Sequence, residues 1–202
     1  VAKKLERVYK LPPMPETAMR IMHLTSDPES DVFQLSDLIE HDPSLSAQVM
    51  RYARSALFNY RGNLSCVKDA VNIVLGFDRV SQLAMGIAAS KAFSIPNDGP
   101  LGLESFWQHA LYSGVLSQAL ALMANPDLGL NEKDAYLAGL LHNFGILLTG
   151  HLFPPEFKML NKLRESEPEA SMEKIEQQVF GRGSAQEFIA LGHGSMGAVL
   201  LK

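Results

Sequence analysis

The sequence predicts an all-α, multi-helical bundle, and three observations carry that prediction. Apolar residues recur at helical spacing from one end to the other. Asp-Pro, Asn-Pro and Pro-Pro pairs punctuate them where helices would start or stop. No stretch shows sustained two-residue alternation bounded by turn residues, so no substantial sheet is expected.

Each element has its own signal. Leu11-Pro12-Pro13-Met14-Pro15 reads as extended, with Pro15 placed to open a helix through about Thr25. Asp27-Pro28 breaks it, and Asp31 can cap a short helix to Glu40. Asp42-Pro43 repeats the cap-then-proline signal before Leu45, Val49, Tyr52, Ala53 and Leu57 at helical spacing. Ser65 is the expected cap of the next helix and Gly76 its stop. A further helix is predicted from about Asp78 to Phe93. The run Ser94 to Pro100, rich in Pro, Asn, Asp and Gly, divides the chain into an N-terminal half, 1–98, and a second half, 99–202. The second half opens with an apolar helix over Leu103–Met123, ended by Asn125-Pro126. Asn131 caps another, predicted as one continuous helix from Glu132 to about Thr149. Both are apolar around much of their circumference, which predicts that they form the buried centre of this half. Pro154-Pro155 and Ser171 start two shorter helices, the second ending near Phe180. There is no low-complexity tract or internal repeat.

Composition narrows the function. Two hundred and two residues suffice for a sizeable core, and a net charge of −4 argues against a general grip on nucleic acid, so no DNA partner is expected. A lone cysteine, Cys66, excludes an internal disulfide and fits a reducing compartment. No secretory leader pattern or membrane-length apolar run is evident. The cytoplasm is the expected location, with no membrane partner.

Chemistry centres on His109 and His142, one on each central helix of the second half. Ser105, His109, Ser113 and Ser117 recur every four residues as a small polar stripe, and Ala138, His142, Gly145 and Thr149 make a small-residue stripe on the other helix. Facing stripes of this kind would leave room for two imidazoles, which is how bundles build metal sites. Close helix packing with two hydrogen-bonded core histidines would give the same spacing, and spacing alone favours it.

Leu140-Leu141-His142-Asn143-Phe144-Gly145 resembles the Leu-Leu-His-Asp-Ile-Gly signature of HD-superfamily metal-dependent phosphohydrolases, with Asn143 where that signature has Asp. Phe106-Trp107-Gln108-His109 resembles the segment carrying the upstream histidine. The Leu-Pro-Pro-Met-Pro opening, His41-Asp42-Pro43-Ser44-Leu45-Ser46, Arg51-Tyr52-Ala53-Arg54-Ser55-Ala56-Leu57-Phe58, Ala70 to Gly76 and Gly197 to Leu201 together resemble the HDOD domain, in the right order from about Leu11 on. Arg182 to Phe188 has no counterpart in that pattern, and the pattern continues into further helices beyond Lys202.

The resemblance implies one HDOD domain made of the two halves, a bacterial signalling role beside receiver, diguanylate cyclase or EAL-type domains, and a metal site reduced to remnants at His109, His142 and Asn143. His193 could be a third ligand, but its flanking Gly192 and Gly194 read more readily as an exposed loop. No cofactor is expected on the HDOD reading. The partner would be a signalling protein or a fused domain, and a small-ligand sensor that kept the pocket is compatible with it. The alternative is a working phosphohydrolase, a phosphodiesterase or phosphatase, with Mn, Fe, Zn or Mg at a His-Asn site. An amide offers a hard cation one weak carbonyl oxygen where a carboxylate brings charge, so Asn143 favours the non-catalytic reading.

Other signals are weaker. His41-Asp42 precedes Pro43, so Asp42 reads as a helix cap. His151 is expected just past a helix end, where the helix dipole favours a cation. Gly181-Arg182-Gly183 lacks the strand that a dinucleotide fingerprint needs, and Cys66 reads as structural. Arg51, Arg54 and Arg61, interleaved with Tyr52, Phe58 and Tyr60, could hold a nucleotide or cyclic dinucleotide through phosphate pairing and stacking. Packed tyrosines with solvated arginines are the plainer and preferred explanation. Met14, Met19 and Met22 read as core or interface residues.

Overall fold

The computed structural model describes residues 12–180 and 192–200; the expectations for Gly181-Arg182-Gly183 and for Arg182 to Phe188 lie outside the described residues. Among those residues there are helices and turns and no strand. No helix among them is long and apolar enough to cross a membrane. The chain forms two compact units. One takes Pro13–Ala92 with Gly114–Leu137, and the other Phe93–Ser113 with the chain from Ala138 on.

In the first of these units, α1 (Glu16–Ser26) buries Ala18 and Ile21. Met14, Met19 and Met22 lie outside that core, between 39% and 47% exposed. Asp31 caps α2 (Val32–Glu40): its carboxylate accepts the Gln34 N–H while Gln34 reaches back to the Asp31 N–H. Asp42 accepts the Leu45 N–H and Pro43 opens α3 (Pro43–Ala53), as the cap-then-proline signal predicts. The cap of α4 (Val67–Asp69) differs from expectation. Ser65 does not supply it; the Asp69 carboxylate accepts the Ser65 and Cys66 N–H groups, and Glu40 accepts that of Val67. The helix then widens into a π turn, Ala70–Leu75, closed by the Gly76 N–H on the Val71 carbonyl at 2.9 Å. Gly76 has φ +84°, which only glycine adopts cheaply, and this conformation lets α5 (Phe77–Ser90) start at once. Leu35, Ile39, Leu45, Val49, Val80, Leu83 and Ile87 fill the core.

α6 spans Leu103–Met123 as predicted, and α7 spans Glu132–Leu141. Gly114 of α6 lets the helices close on each other, since a Cβ there would lie 3.1 Å from both the ring and the carbonyl oxygen of Tyr136. The C-terminal half of α6 is not a buried centre. Leu116, Leu120 and Met123 are 60%, 58% and 82% exposed. A helix apolar on all sides does not say which side will be covered, and here only the side bearing Gly114 and Gln118 is buried.

In the other unit, the predicted continuous helix is broken. α7 ends at Leu141, His142 and Asn143 form a turn, and α8 runs Phe144–Leu152. The break re-aims α8 so that Gly145 meets α11 (Gly192–Leu200). A Cβ on Gly145 would overlap the His193 carbonyl oxygen and stand 2.7 Å from the Gly197 nitrogen. The second stripe is therefore split: His142 meets His109, whereas Gly145 and Thr149 face α11 and Met196. α9 (Pro154–Ser166) and α10 (Met172–Phe180) complete the unit, with Ser171 accepting the Lys174 N–H at the start of α10. Phe93, Phe106, Trp107 and Phe144 meet edge to face in the core.

Candidate functional site

His109 sits on α6 one turn after Ser105, and His142 sits in the turn that ends α7. Their Nε2 atoms are 3.2 Å apart. The Nδ1 of His142 lies 2.7 Å from the Gly139 carbonyl. A carbonyl only accepts, so this Nδ1 carries a proton and the Nε2 of His142 is left to accept from His109. His109 then donates through its own Nε2, with the Ser113 hydroxyl 3.5 Å away. Partial burial holds the His109 imidazole below its ordinary pKa, and the neighbouring His142 lowers it further.

His109 borders an open cleft of about 200 Å³. His109, Asn143, Ser105 and Arg164 supply its polar side chains, and Phe106, Ile146 and Met172 part of its apolar wall. His109, Ser105 and Arg164 already have partners within the chain. Ser105 donates to the Gly99 carbonyl, and Arg164 to the Ala170 carbonyl at 2.7 Å.

Two imidazoles on one zinc, each about 2.0–2.1 Å from it, would place their nitrogens roughly 3.3 Å apart, so the His109–His142 spacing by itself suits a metal. The rest of the donor set does not. No group of three or more His, Cys, Asp or Glu side chains gathers around a common point among the described residues, and Asn143 contributes a neutral amide. Metal binding would also require His109 to move its proton from Nε2 to Nδ1. The described residues do not make a complete site for a divalent cation.

His193 is not beside this pair. Its Nδ1 lies 2.7 Å from Glu176 Oε1, in a separate, mostly apolar cavity lined by Thr149, Phe153, Phe180 and Met196. Glu176 is buried, and nothing in the sequence singles it out; it follows Ile175 on an amphipathic helix and reads as surface. The arginine cluster does not converge either. Arg54 donates to the Leu64 carbonyl at 2.6 Å, the Arg51 guanidinium lies 5.2 Å from the centre of the Tyr52 ring, and Arg61 is exposed. Asp42 caps α3 and pairs with Lys91. His151 lies inside α8 and not past its end; its Nδ1 accepts the Ser94 N–H at 3.2 Å, a contact that the helix-end expectation did not foresee.

Comparison with known proteins bears on this pattern. A crystal structure from Marinobacter aquaeolei VT8, described as a "putative signal transduction protein", is 39% identical with a TM-score of 0.65, over 98% of this chain and 44% of that one. A second, from Shewanella amazonensis SB2B and described as a "putative phosphohydrolase", is 25% identical with a TM-score of 0.58, over 95% and 65% of the two chains. An uncharacterized protein of Treponema pallidum (strain Nichols) is 25% identical over 167 residues, 83% of this chain and 31% of that protein. The chain thus spans less than two thirds of the length of each. The HDOD domain profile matches residues 11–201, the same stretch in which the motifs around His109 and His142 occur, and the chain belongs to the HDOD domain family.

Proposed function

We propose that the chain is a regulatory HDOD module of a bacterial signalling protein, acting in the cytoplasm by binding a partner protein or fused domain, and that its histidine cleft does not hydrolyse phosphate esters. The observation that carries the reading is the closed hydrogen bond between His109 and His142 beside Asn143. The nitrogens that would bind a metal are occupied by each other, and the neighbouring side chain that would need to be a carboxylate is an amide. Hydrolysis of a phosphate ester in this superfamily needs a water made nucleophilic by a cation, and two neutral imidazoles with one amide hold a hard cation poorly.

The second reading is a metal-dependent phosphohydrolase with a reduced ligand set, and the 3.2 Å spacing of the two Nε2 atoms is what favours it. One experiment separates the two. Untagged protein is analysed for metal by elemental mass spectrometry before and after incubation with Mn²⁺, Fe²⁺ and Zn²⁺, then assayed on a phosphomonoester, a nucleotide and a cyclic dinucleotide. The regulatory reading expects metal far below one equivalent and no turnover. Near-stoichiometric metal that disappears in His142→Ala, with turnover that disappears alongside it, overturns that reading.

A further inference from the structure

A different pocket, of about 310 Å³, lies where α5 begins and shares no lining residue with the histidine cleft. Four observations meet there. First, α5 starts at Gly76, which has no side chain to cap the helix, so the N–H groups of its first turn lack the usual side-chain acceptor. Second, Arg79 lies in that turn. Its Nε donates to Gln118 Oε1 at 2.7 Å, and its terminal nitrogens have no partner among the described residues. Third, Tyr136 is 1% exposed, yet its hydroxyl has no hydrogen-bond partner among the described residues. Fourth, the buried Oε1 of Gln82 is also without one. Buried polar groups are rarely left unpaired, and two such groups lining one cavity that also holds an under-used guanidinium point to a ligand.

Charge sets the ligand's type. Asp78 and Lys133 pair with each other at 2.8 Å, which leaves Arg79 and Glu132 as the uncompensated charges lining the pocket. One positive group with a helix N-terminus attracts an oxyanion, while Glu132 opposes a dianion. A single water could bridge Tyr136 and Gln82. It would leave the terminal nitrogens of Arg79 without an anionic partner.

We propose that this pocket binds a small organic ligand through one singly charged oxyanion group, held by Arg79, the Tyr136 hydroxyl and the first-turn N–H groups of α5. Gln82 then accepts a hydrogen bond from the body of the ligand. The proposal stands independently of how the histidine cleft is read, because it uses none of that cleft's residues.

The test is an amide and arginine side-chain NMR titration of the whole chain with acetate and, separately, dimethyl phosphate, each against an equal ionic strength of sodium chloride. The two probes distinguish a carboxylate ligand from a phosphodiester one. Saturable shifts are expected at Phe77 to Val80 and at the Arg79 Nε–H, with a Kd on the order of millimolar, as suits a probe of four to seven heavy atoms. Tyr136→Phe should weaken binding about tenfold, and Arg79→Gln should abolish it. Should Arg79→Gln not fold, Arg79→Lys keeps the charge, loses the planar fork, and should bind about tenfold more weakly. The proposal is overturned if neither probe gives a saturable shift beyond chloride, if the shifts scatter over surface lysines and arginines, or if Tyr136→Phe binds as tightly as the parent chain.

Discussion

The histidine cleft and the α5 pocket are opposites in how their polar groups are satisfied. In the cleft, His109 and His142 bond each other through Nε2, Ser105 bonds Gly99, and Arg164 bonds Ala170. In the pocket, the Tyr136 hydroxyl, Gln82 Oε1 and the outer nitrogens of Arg79 have no such partners. The cleft carries the His-Asn motif, with His109, Ser105 and Arg164 already bonded, whereas the pocket meets a motif only at Leu75 and Gly76 and holds two orphaned polar atoms. A motif reports what a site once needed. Unsatisfied polar groups report what the present chain still lacks, because leaving one buried and unpaired costs about 1–3 kcal/mol.

The largest expected effect comes from breaking the cleft's support. Gly145→Ala places a methyl group onto the His193 carbonyl and close to the Gly197 nitrogen, and backbone cannot step aside as a side-chain tip can. The cost should be roughly 3 kcal/mol, at the upper end for overpacking. That lowers Tm by several degrees for a chain of this size. Because α8 begins one residue after the His142–Asn143 turn, His109 and His142 resonances should shift in this variant while the amides of Phe77 to Val80 stay in place. A variant with unchanged Tm would show that α8 and α11 do not meet at these glycines.

That same contact explains what was legible in the sequence and what was not. The caps at Asp31, Asp42 and Ser171 were legible because each depends on residues three or four positions away. So were the ends of α6, set by local Gly and Pro. The break after Leu141 was not. Leu-Leu-His-Asn-Phe-Gly-Ile-Leu-Leu fits a continuous helix, and the turn is imposed by a glycine contact with a segment near the far end of the chain. The HDOD resemblance was legible because it rests on ordered local motifs, and the two histidines of those motifs, His109 and His142, lie within hydrogen-bond distance. His193, the possible third ligand, pairs with Glu176 instead. The pocket was invisible for a related reason. Tyr136 occupies an apolar position on a helix and reads as core, and only the fold shows that its hydroxyl meets nothing.

Arg79→Gln should give the next largest effect on the ligand-free protein. Gln118 is 9% exposed and its oxygen has Arg79 as its donor, so the substitution leaves a buried acceptor to be satisfied anew. A loss of about 1–2 kcal/mol in urea unfolding is expected. The double variant Arg79→Gln, Gln118→Leu removes both partners and should recover part of it. Equal losses in the single and double variants would mean that Arg79 contributes to stability through packing of its stem and not through this bond.

Tyr136→Phe should barely change the stability of the ligand-free chain, or raise it by up to about 1 kcal/mol, because it deletes a buried hydroxyl that has no partner and keeps the ring that packs against Gly114. In the cleft the analogous change, Ser105→Ala, removes a hydroxyl that does have a partner and should cost about 0.5–1 kcal/mol. Chemical unfolding of the two variants side by side therefore sharpens the contrast. A clear loss from Tyr136→Phe would place an ordered water on that hydroxyl and make the pocket a hydrated part of the core.

The smallest effect is a pH dependence, and it belongs to the cleft. Partial burial first, and the neighbouring His142 second, keep His109 below its ordinary pKa of about 6.5. The unfolded chain therefore binds this proton more readily than the folded one, and the stability linked to His109 is present above about pH 6.5 and is lost as pH falls toward the folded pKa. His142→Gln removes the smaller cause and keeps the larger. The His109 imidazole, followed by the shift of its ring protons, should then titrate at higher pH than in the parent chain while remaining below the unfolded value, and acid unfolding should begin at correspondingly lower pH. If His109 titrates unchanged in this variant, the charge of His142 does not reach it, and burial alone sets the lowered pKa.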